Sequence, residues 1–189
     1  MTDEDCRHRN WWEETRLKGF AGAGRLAEMS PEEIAAIAQY IIANEGWHQT
    51  AYSDSLGIPT VGVGFNLLRD DAPAKLRALG LDCDEVRQGR LALSDEQVAA
   101  LLAQDLEKAM AGVAALVPGW SALVAARRKA LVDMAFNLGV GGLAKFSRLL
   151  TAVNREEWQT AEAEIVDSLY YRQVGARARR NADAIRHGA

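Results

Sequence analysis

Glu45, Asp54 and Thr60 are the residues of this chain whose types and spacing suggest chemistry. They lie within one twenty-residue stretch that ends in Thr60-Val61-Gly62-Val63-Gly64. Two carboxylates held on different elements across a cleft suit glycoside hydrolysis. One stays protonated and donates to the leaving oxygen; the other stays ionised and holds a water or stabilises positive charge. A glutamate at a helix end beside the apolar Trp47 suits the donor, and an aspartate in a polar turn suits the ionised partner. Thr60 offers a hydroxyl that could orient a water. On spacing alone the plainer alternative stays open, because Glu and Asp in loops more often serve as solvated or capping residues.

The elements around these residues are legible. Ser30, Pro31 and Glu33 form a helix start with a capping box. Ile34, Ile37, Ala38, Ile41 and Ile42 recur at helical spacing, and Gly46 supplies a stop after Glu45. Over residues 50–66, Gly57, Pro59, Gly62 and Gly64 interleave with Ile58, Val61, Val63 and Phe65, which predicts a small antiparallel sheet with tight turns. From about residue 72 the pattern is helical again. Ser94 and Gln97 make a second capping box, opening a helix to about Ala115 that Pro118-Gly119 breaks. A buried helix is expected over 121–138, ended by Gly139, Gly141 and Gly142, with further helices near 155–169 and 175–186. Residues 1–29 read as an extension, with Trp11 and Trp12 able to anchor it, and residues 30–189 as the catalytic domain. Gly22-Ala23-Gly24-Arg25-Leu26-Ala27 loosely matches a dinucleotide fingerprint, but no strand precedes it and no βαβ unit follows.

Composition bounds the rest. The chain has 189 residues, 49% of them hydrophobic, enough for one domain with a sizeable core. Ala and Leu dominate and β-branched runs are few, so a mainly α fold with a small β part (α+β) is expected. The net charge is −4, unevenly spread. Residues 170–189 carry five arginines against Asp183, hence +4; residues 31–169 carry 12 basic and 19 acidic side chains, hence −7. The basic end could attract an anionic polymer or simply suit helix dipoles. Cys6 and Cys83 have neither metal nor redox spacing. The acidic start is followed by no apolar signal-peptide core, and no apolar run reaches the roughly 18–20 residues that span a bilayer. The expectation is a soluble protein made in a cytoplasm.

Glu45, Asp54 and Thr60 stand at intervals of nine and six, with Glu-Gly at the start, Tyr-x-Asp at the aspartate and Thr-Val-Gly-Val-Gly at the end. This stretch resembles the active-site segment of the phage-type lysozymes, the T-even phage endolysins and their relatives in family 24 of the glycoside hydrolases. The resemblance extends to Ala126–Gly139, to Trp158, to Ser168–Gln173 and to Arg177–Arg180, so that it covers about residues 31–188 in order. It implies a lysozyme-like two-lobed fold, with a small antiparallel β-hairpin or sheet in the N-terminal lobe and a helical C-terminal lobe. It implies hydrolysis of the β-1,4 bond between N-acetylmuramic acid and N-acetylglucosamine in peptidoglycan. Glu45 would be the general acid, Asp54 the water-orienting carboxylate and Thr60 its helper, with carboxyls spaced for inversion. Phe136 and Asn137 fall where that family lines its cleft, Asn137 where a Gln is common. Arg177 falls near its basic, peptide-contacting surface. Two departures stand out: Phe65-Asn66 replaces a His that pairs with an Asp, and the chain is acidic where the best-known members are basic.

No cofactor is expected. His8, His48 and His187 are scattered without Cys/His clustering, so a metal site is not expected; neither a P-loop nor a nucleophile elbow appears. Trp47, Tyr52, Trp120, Trp158, Tyr170 and Tyr171 could stack on sugars, though Trp120 and Trp158 read as core. The expected partner is peptidoglycan, with no nucleic acid and no stable membrane insertion. The chain would act in the periplasm, reaching it through a holin, or as a delivered effector neutralised by an immunity protein. A lytic transglycosylase and a non-catalytic wall-binding module are the rival readings; Asp54 and Thr60 speak against both.

Overall fold

The computed structural model of the chain describes residues 29–189. Of the expected extension it includes only Met29, whose side chain is buried. Trp11, Trp12, Cys6, His8 and the glycine-rich segment at 22–27 lie outside the described residues. Among the described residues, ten α-helices and one three-stranded sheet make the mainly α architecture with a small β part that was expected. They fall into two compact units: residues 38–104, and residues 29–37 together with 105–189.

Helix α1 (Pro31–Glu45) begins as its sequence dictates. The Ser30 hydroxyl accepts from the Glu33 amide at 3.3 Å, and the Glu33 carboxylate accepts from the Ser30 amide at 3.2 Å. Two of the amides left over at a helix start are thereby satisfied. Ile34, Ile37, Ala38 and Ile41 are buried along one stripe. Gly46, at φ 82°, ends the helix, its amide donating to the Ile42 carbonyl at 2.8 Å.

The first unit holds the sheet. Strands β1 (His48–Ser53), β2 (Pro59–Gly62) and β3 (Phe65–Asn66) pair antiparallel in that order. Val61, Val63 and Phe65 are buried. Phe65 lies under the Arg69 guanidinium at 4.8 Å. Arg69 in turn donates to both Asp71 carboxylate oxygens at 2.8 Å, so a cation–π contact and an ion pair occupy this corner. Helices α2 (Ala72–Ala78) and α3 (Cys83–Arg87) follow. Then comes α4 (Asp95–Leu116), opened by the second expected capping box. Gln97 and Ser94 exchange bonds at 2.8 and 3.2 Å, and the Gln97 amide also donates to the Leu79 carbonyl, tying the helix start to α2.

The second unit is helical. The helix expected over 121–138 is interrupted at its start. Trp120–Ala122 form a 3-10 turn, Leu123 and Val124 are extended, and α5 runs over Ala125–Leu138. The extended pair lets the Trp120 ring enter the core, 3% exposed, before the helix resumes. Helices α6 (Val140–Ala144) and α7 (Ser147–Asn154) follow the glycine stop. The helix expected at 155–169 is shorter, α8 (Trp158–Val166), because Glu156 at φ 57° breaks the backbone before it. After it, Ser168 caps a separate helix α9 (Leu169–Val174) by accepting from the Tyr171 amide. Helix α10 (Ala176–His187) packs on α8 and α5. No helix among the described residues is long and apolar enough to cross a membrane.

Candidate active site

Glu45 is the last residue of α1, and its carboxylate reaches the β2–β3 turn. A Cβ built on Gly64 would lie 3.0 Å from Glu45 Oε2. Gly62 and Gly64 both have positive φ, 65° and 68°. The Gly-Val-Gly of this turn thus serves two needs. It supplies a backbone conformation that L side chains rarely adopt, and it leaves room for the carboxylate.

Asp54 organises the turn between β1 and β2. Its Oδ1 accepts from the Leu56 and Ile58 amides, each at 2.8 Å, and its own amide donates to the Ile58 carbonyl at 3.0 Å. Two backbone donors on one carboxylate oxygen fix the side chain. Thr60 is buried at 4% exposure, and its hydroxyl donates to the Ile58 carbonyl at 3.0 Å. With its proton committed there, the Thr60 oxygen faces other groups as an acceptor.

Tyr52 joins these residues. It is the cross-strand partner of Thr60. Its phenol proton is held more tightly than in an ordinary tyrosine, first through burial, then through the negative charges of Glu45 and Asp54. The charges of Glu45 and Asp54 thus add to burial in favouring the neutral phenol, and Thr60 is the residue opposite Tyr52 in the sheet. The sequence offers Tyr52 only as one of several aromatics; the Tyr-x-Asp spacing was the signal available. Asp95 gives no such signal. It lies 46 and 48 residues from Gln49 and Trp47, yet its Oδ1 accepts from both side chains, at 3.0 and 2.8 Å.

The other expected site residues are in the second unit. Phe136 is half-buried and Asn137 exposed, in the last turn of α5. Arg177 does not lie on the basic surface expected of it. It is 8% exposed, and its guanidinium grips the fully buried Asp133 carboxylate through Nε at 3.0 and 2.9 Å and Nη2 at 2.7 Å. Asn181 donates to the same carboxylate at 2.6 Å and to the Tyr170 hydroxyl at 3.0 Å. A charge this deeply buried needs a partner, and α5 supplies one in Asp133. Arg172, Arg179 and Arg180 are exposed instead. Of the aromatics considered as sugar platforms, Trp120 and Tyr170 are buried, and Trp158 has the Arg127 guanidinium stacked at 3.7 Å over its ring.

A pre-baseplate central spike protein, Gp5 of Enterobacteria phage T4, is 30% identical to this chain over 152 residues. The alignment covers 77% of this chain and 26% of Gp5, so the chain spans about a quarter of that relative's length. The family model described as phage lysozyme matches residues 43–183, which include Glu45, Asp54 and Thr60 with their turns and all of α5, α8 and α9. By that match, over most of its length, the chain belongs to the phage lysozyme family.

Proposed function

We propose that this chain is a peptidoglycan hydrolase, a muramidase that cleaves the β-1,4 bond between N-acetylmuramic acid and N-acetylglucosamine. The observation that carries the reading is that one short sheet gathers the three residues: the Glu45 carboxylate reaches its Gly64 turn, Asp54 holds the turn between β1 and β2, and Thr60 lies on β2 opposite Tyr52. Glu45 donates the proton to the leaving glycosidic oxygen. Asp54 has Oδ1 committed to two amides, so Oδ2 is the oxygen that receives a proton from an attacking water. The Thr60 oxygen, whose own hydroxyl donates to Ile58, accepts a hydrogen bond from the other O–H of that water, a hydrogen that stays on the product hydroxyl. A water held by both its protons turns a lone pair toward the anomeric carbon. By the resemblance to the phage lysozyme family, Phe136 and Asn137 stand at positions that contact the saccharide there. Attack by water on the face opposite the leaving group inverts the anomeric centre.

The test is turbidity clearing of outer-membrane-permeabilised bacteria by the wild-type chain and by Glu45→Gln. The amide variant should fold and be inert; lysis at the wild-type rate by that variant overturns the assignment of Glu45. Reducing ends of α configuration at early time points support inversion by water. Anhydro-muramic ends would instead make the chain a lytic transglycosylase.

Two biological settings suit this chemistry: release of phage from a host with a holin's help, or delivery into a competitor that carries an immunity protein. The likeness to Gp5 favours adding a third, action as the wall-degrading part of a spike. The genes beside this one distinguish them: a holin, an immunity protein, or tail components.

A further inference from the structure

Strand β1 departs from regular pairing next to the candidate site. His48 pairs with Gly62 and Tyr52 with Thr60, so four steps along β1 answer to two along β2. Such bulges re-aim side chains and gather at active sites. The bulged stretch is pinned from one side. Trp47 and Gln49 both donate to Asp95 Oδ1, and the Leu93 amide donates to the Gln49 carbonyl at 2.8 Å. With both its neighbours turned to Asp95, His48 turns the other way. Its ring packs against Tyr52 at a centroid distance of 4.3 Å and an interplanar angle of 45°. The imidazole also covers Gly46, where an added Cβ would lie 2.6 Å from His48 Nε2. The ring is thus wedged between the Gly46 backbone and the phenol, with its remaining side in solvent.

We infer that His48 is a positioning residue for the hydrolysis proposed above: its ring, on a stretch that Trp47 and Gln49 tie to Asp95, packs on the Tyr52 ring and fixes where the phenol points, so that its hydroxyl donates a hydrogen bond to a saccharide oxygen. The inference rests on the hydrolase reading. A phenol donates only while protonated, as any tyrosine is at neutral pH; burial, then the charges of Glu45 and Asp54, hold this proton more tightly still. The titratable groups that face Tyr52 are Glu45, Asp54 and His48. Gly46 is required on this account, since any side chain there meets the imidazole.

The experiment compares the full chain with His48→Ala and His48→Phe. Two quantities are read: the phenolate absorbance titration of Tyr52, isolated by subtracting Tyr52→Phe, and kcat and KM on soluble glycan strands from peptidoglycan. In the wild type, Tyr52 should titrate above the ordinary tyrosine value of about 10. In His48→Ala that titration should fall back toward the ordinary value, and kcat should drop about three- to tenfold, the range an aromatic pair of this kind supplies, with KM within about twofold. His48→Phe keeps a ring in place and should recover the raised titration and most of kcat. An unchanged Tyr52 titration in His48→Ala overturns the inference. So does a His48→Phe variant as impaired as His48→Ala. A wild-type chain inert on peptidoglycan overturns the hydrolase reading alone, because the titration still decides whether His48 holds Tyr52.

Discussion

At the scale of single residues, the site is a set of polar groups whose protons are already assigned. Asp54 gives one oxygen to the backbone and Thr60 gives its proton to Ile58, so each has a single remaining way to meet a water. Asp54→Asn should therefore keep the turn, since its side-chain oxygen still accepts from Leu56 and Ile58. It should lose most of its lysis, because an amide nitrogen takes no proton from water. Unchanged melting with a large fall in turbidity clearing is the expected pair of results. Tyr52 makes a prediction in pH. Its proton is held more tightly in the fold than in the unfolded chain, so between the two titrations the folded state binds more protons. The contribution is intact below the unfolded value of about 10 and is lost as pH rises through the folded value. Urea melts of the wild type between pH 9 and 11 should lose stability more steeply than those of Tyr52→Phe; parallel profiles would show that Tyr52 is not held at the carboxylates.

At the scale of elements, short-range rules and close approaches decide what each piece can do. Both capping boxes form, and the one at Ser94 also ties α4 to α2 through Gln97. Ser94→Ala should cost about 1 kcal/mol in a denaturant melt, the usual value for a lost cap. A second pressure point lies between α4 and α6. A Cβ on Gly112 would stand 2.3 Å from Val140 Cγ2. Although Ala favours helices over Gly, Gly112→Ala should destabilise the chain by about 1–3 kcal/mol through overpacking. Val140→Ala in the same chain should relieve most of that loss. If Gly112→Ala raised the melting temperature, helix propensity would outweigh the clash and the packing argument would fail.

At the scale of the whole molecule, charge divides into a buried part and a surface part. Arg177 is structural: with Asp133, Asn181 and Tyr170 it closes a polar network between α5, α9 and α10. Removing either charge strands the other in the interior, so Arg177→Ala or Asp133→Ala should cost about 3–5 kcal/mol. Any attraction to an anionic wall then falls to the exposed Arg172, Arg179 and Arg180. Neutralising Arg179 and Arg180 should slow lysis of whole sacculi and make it less salt-sensitive, because such attraction is screened over about 8–10 Å. Cleavage of short, uncharged oligosaccharides should be spared. Equal losses on both substrates would assign the two arginines to the fold or to the bond-breaking step.

Much of this was written locally in the chain. The capping residues at Ser30 and Ser94, the glycine stops at Gly46 and Gly139, and the alternation through Val61, Val63 and Phe65 set helices and strands by interactions within a few residues. The bounds of these elements are accordingly close to expectation. Where the chain breaks its rhythm, packing intervened: Leu123 and Val124 extend so that Trp120 can be buried, and Glu156 adopts a backbone that its type disfavours. Glu45, Asp54 and Thr60 could be singled out as candidates because their spacing and the glycines around them sit in one stretch. The setting of Tyr52 was not legible, because its burial and the charges of Glu45 and Asp54 around it come from packing between elements. The fate of Arg177 was legible least of all. Its sequence neighbours make it one of a cluster of surface arginines, and only Asp133, 44 residues earlier on another helix, takes its charge inside. Capping, stops and alternation are short-range and can be read along the chain; burial and ion pairing are contacts between distant residues, and they exist only once the helices have packed.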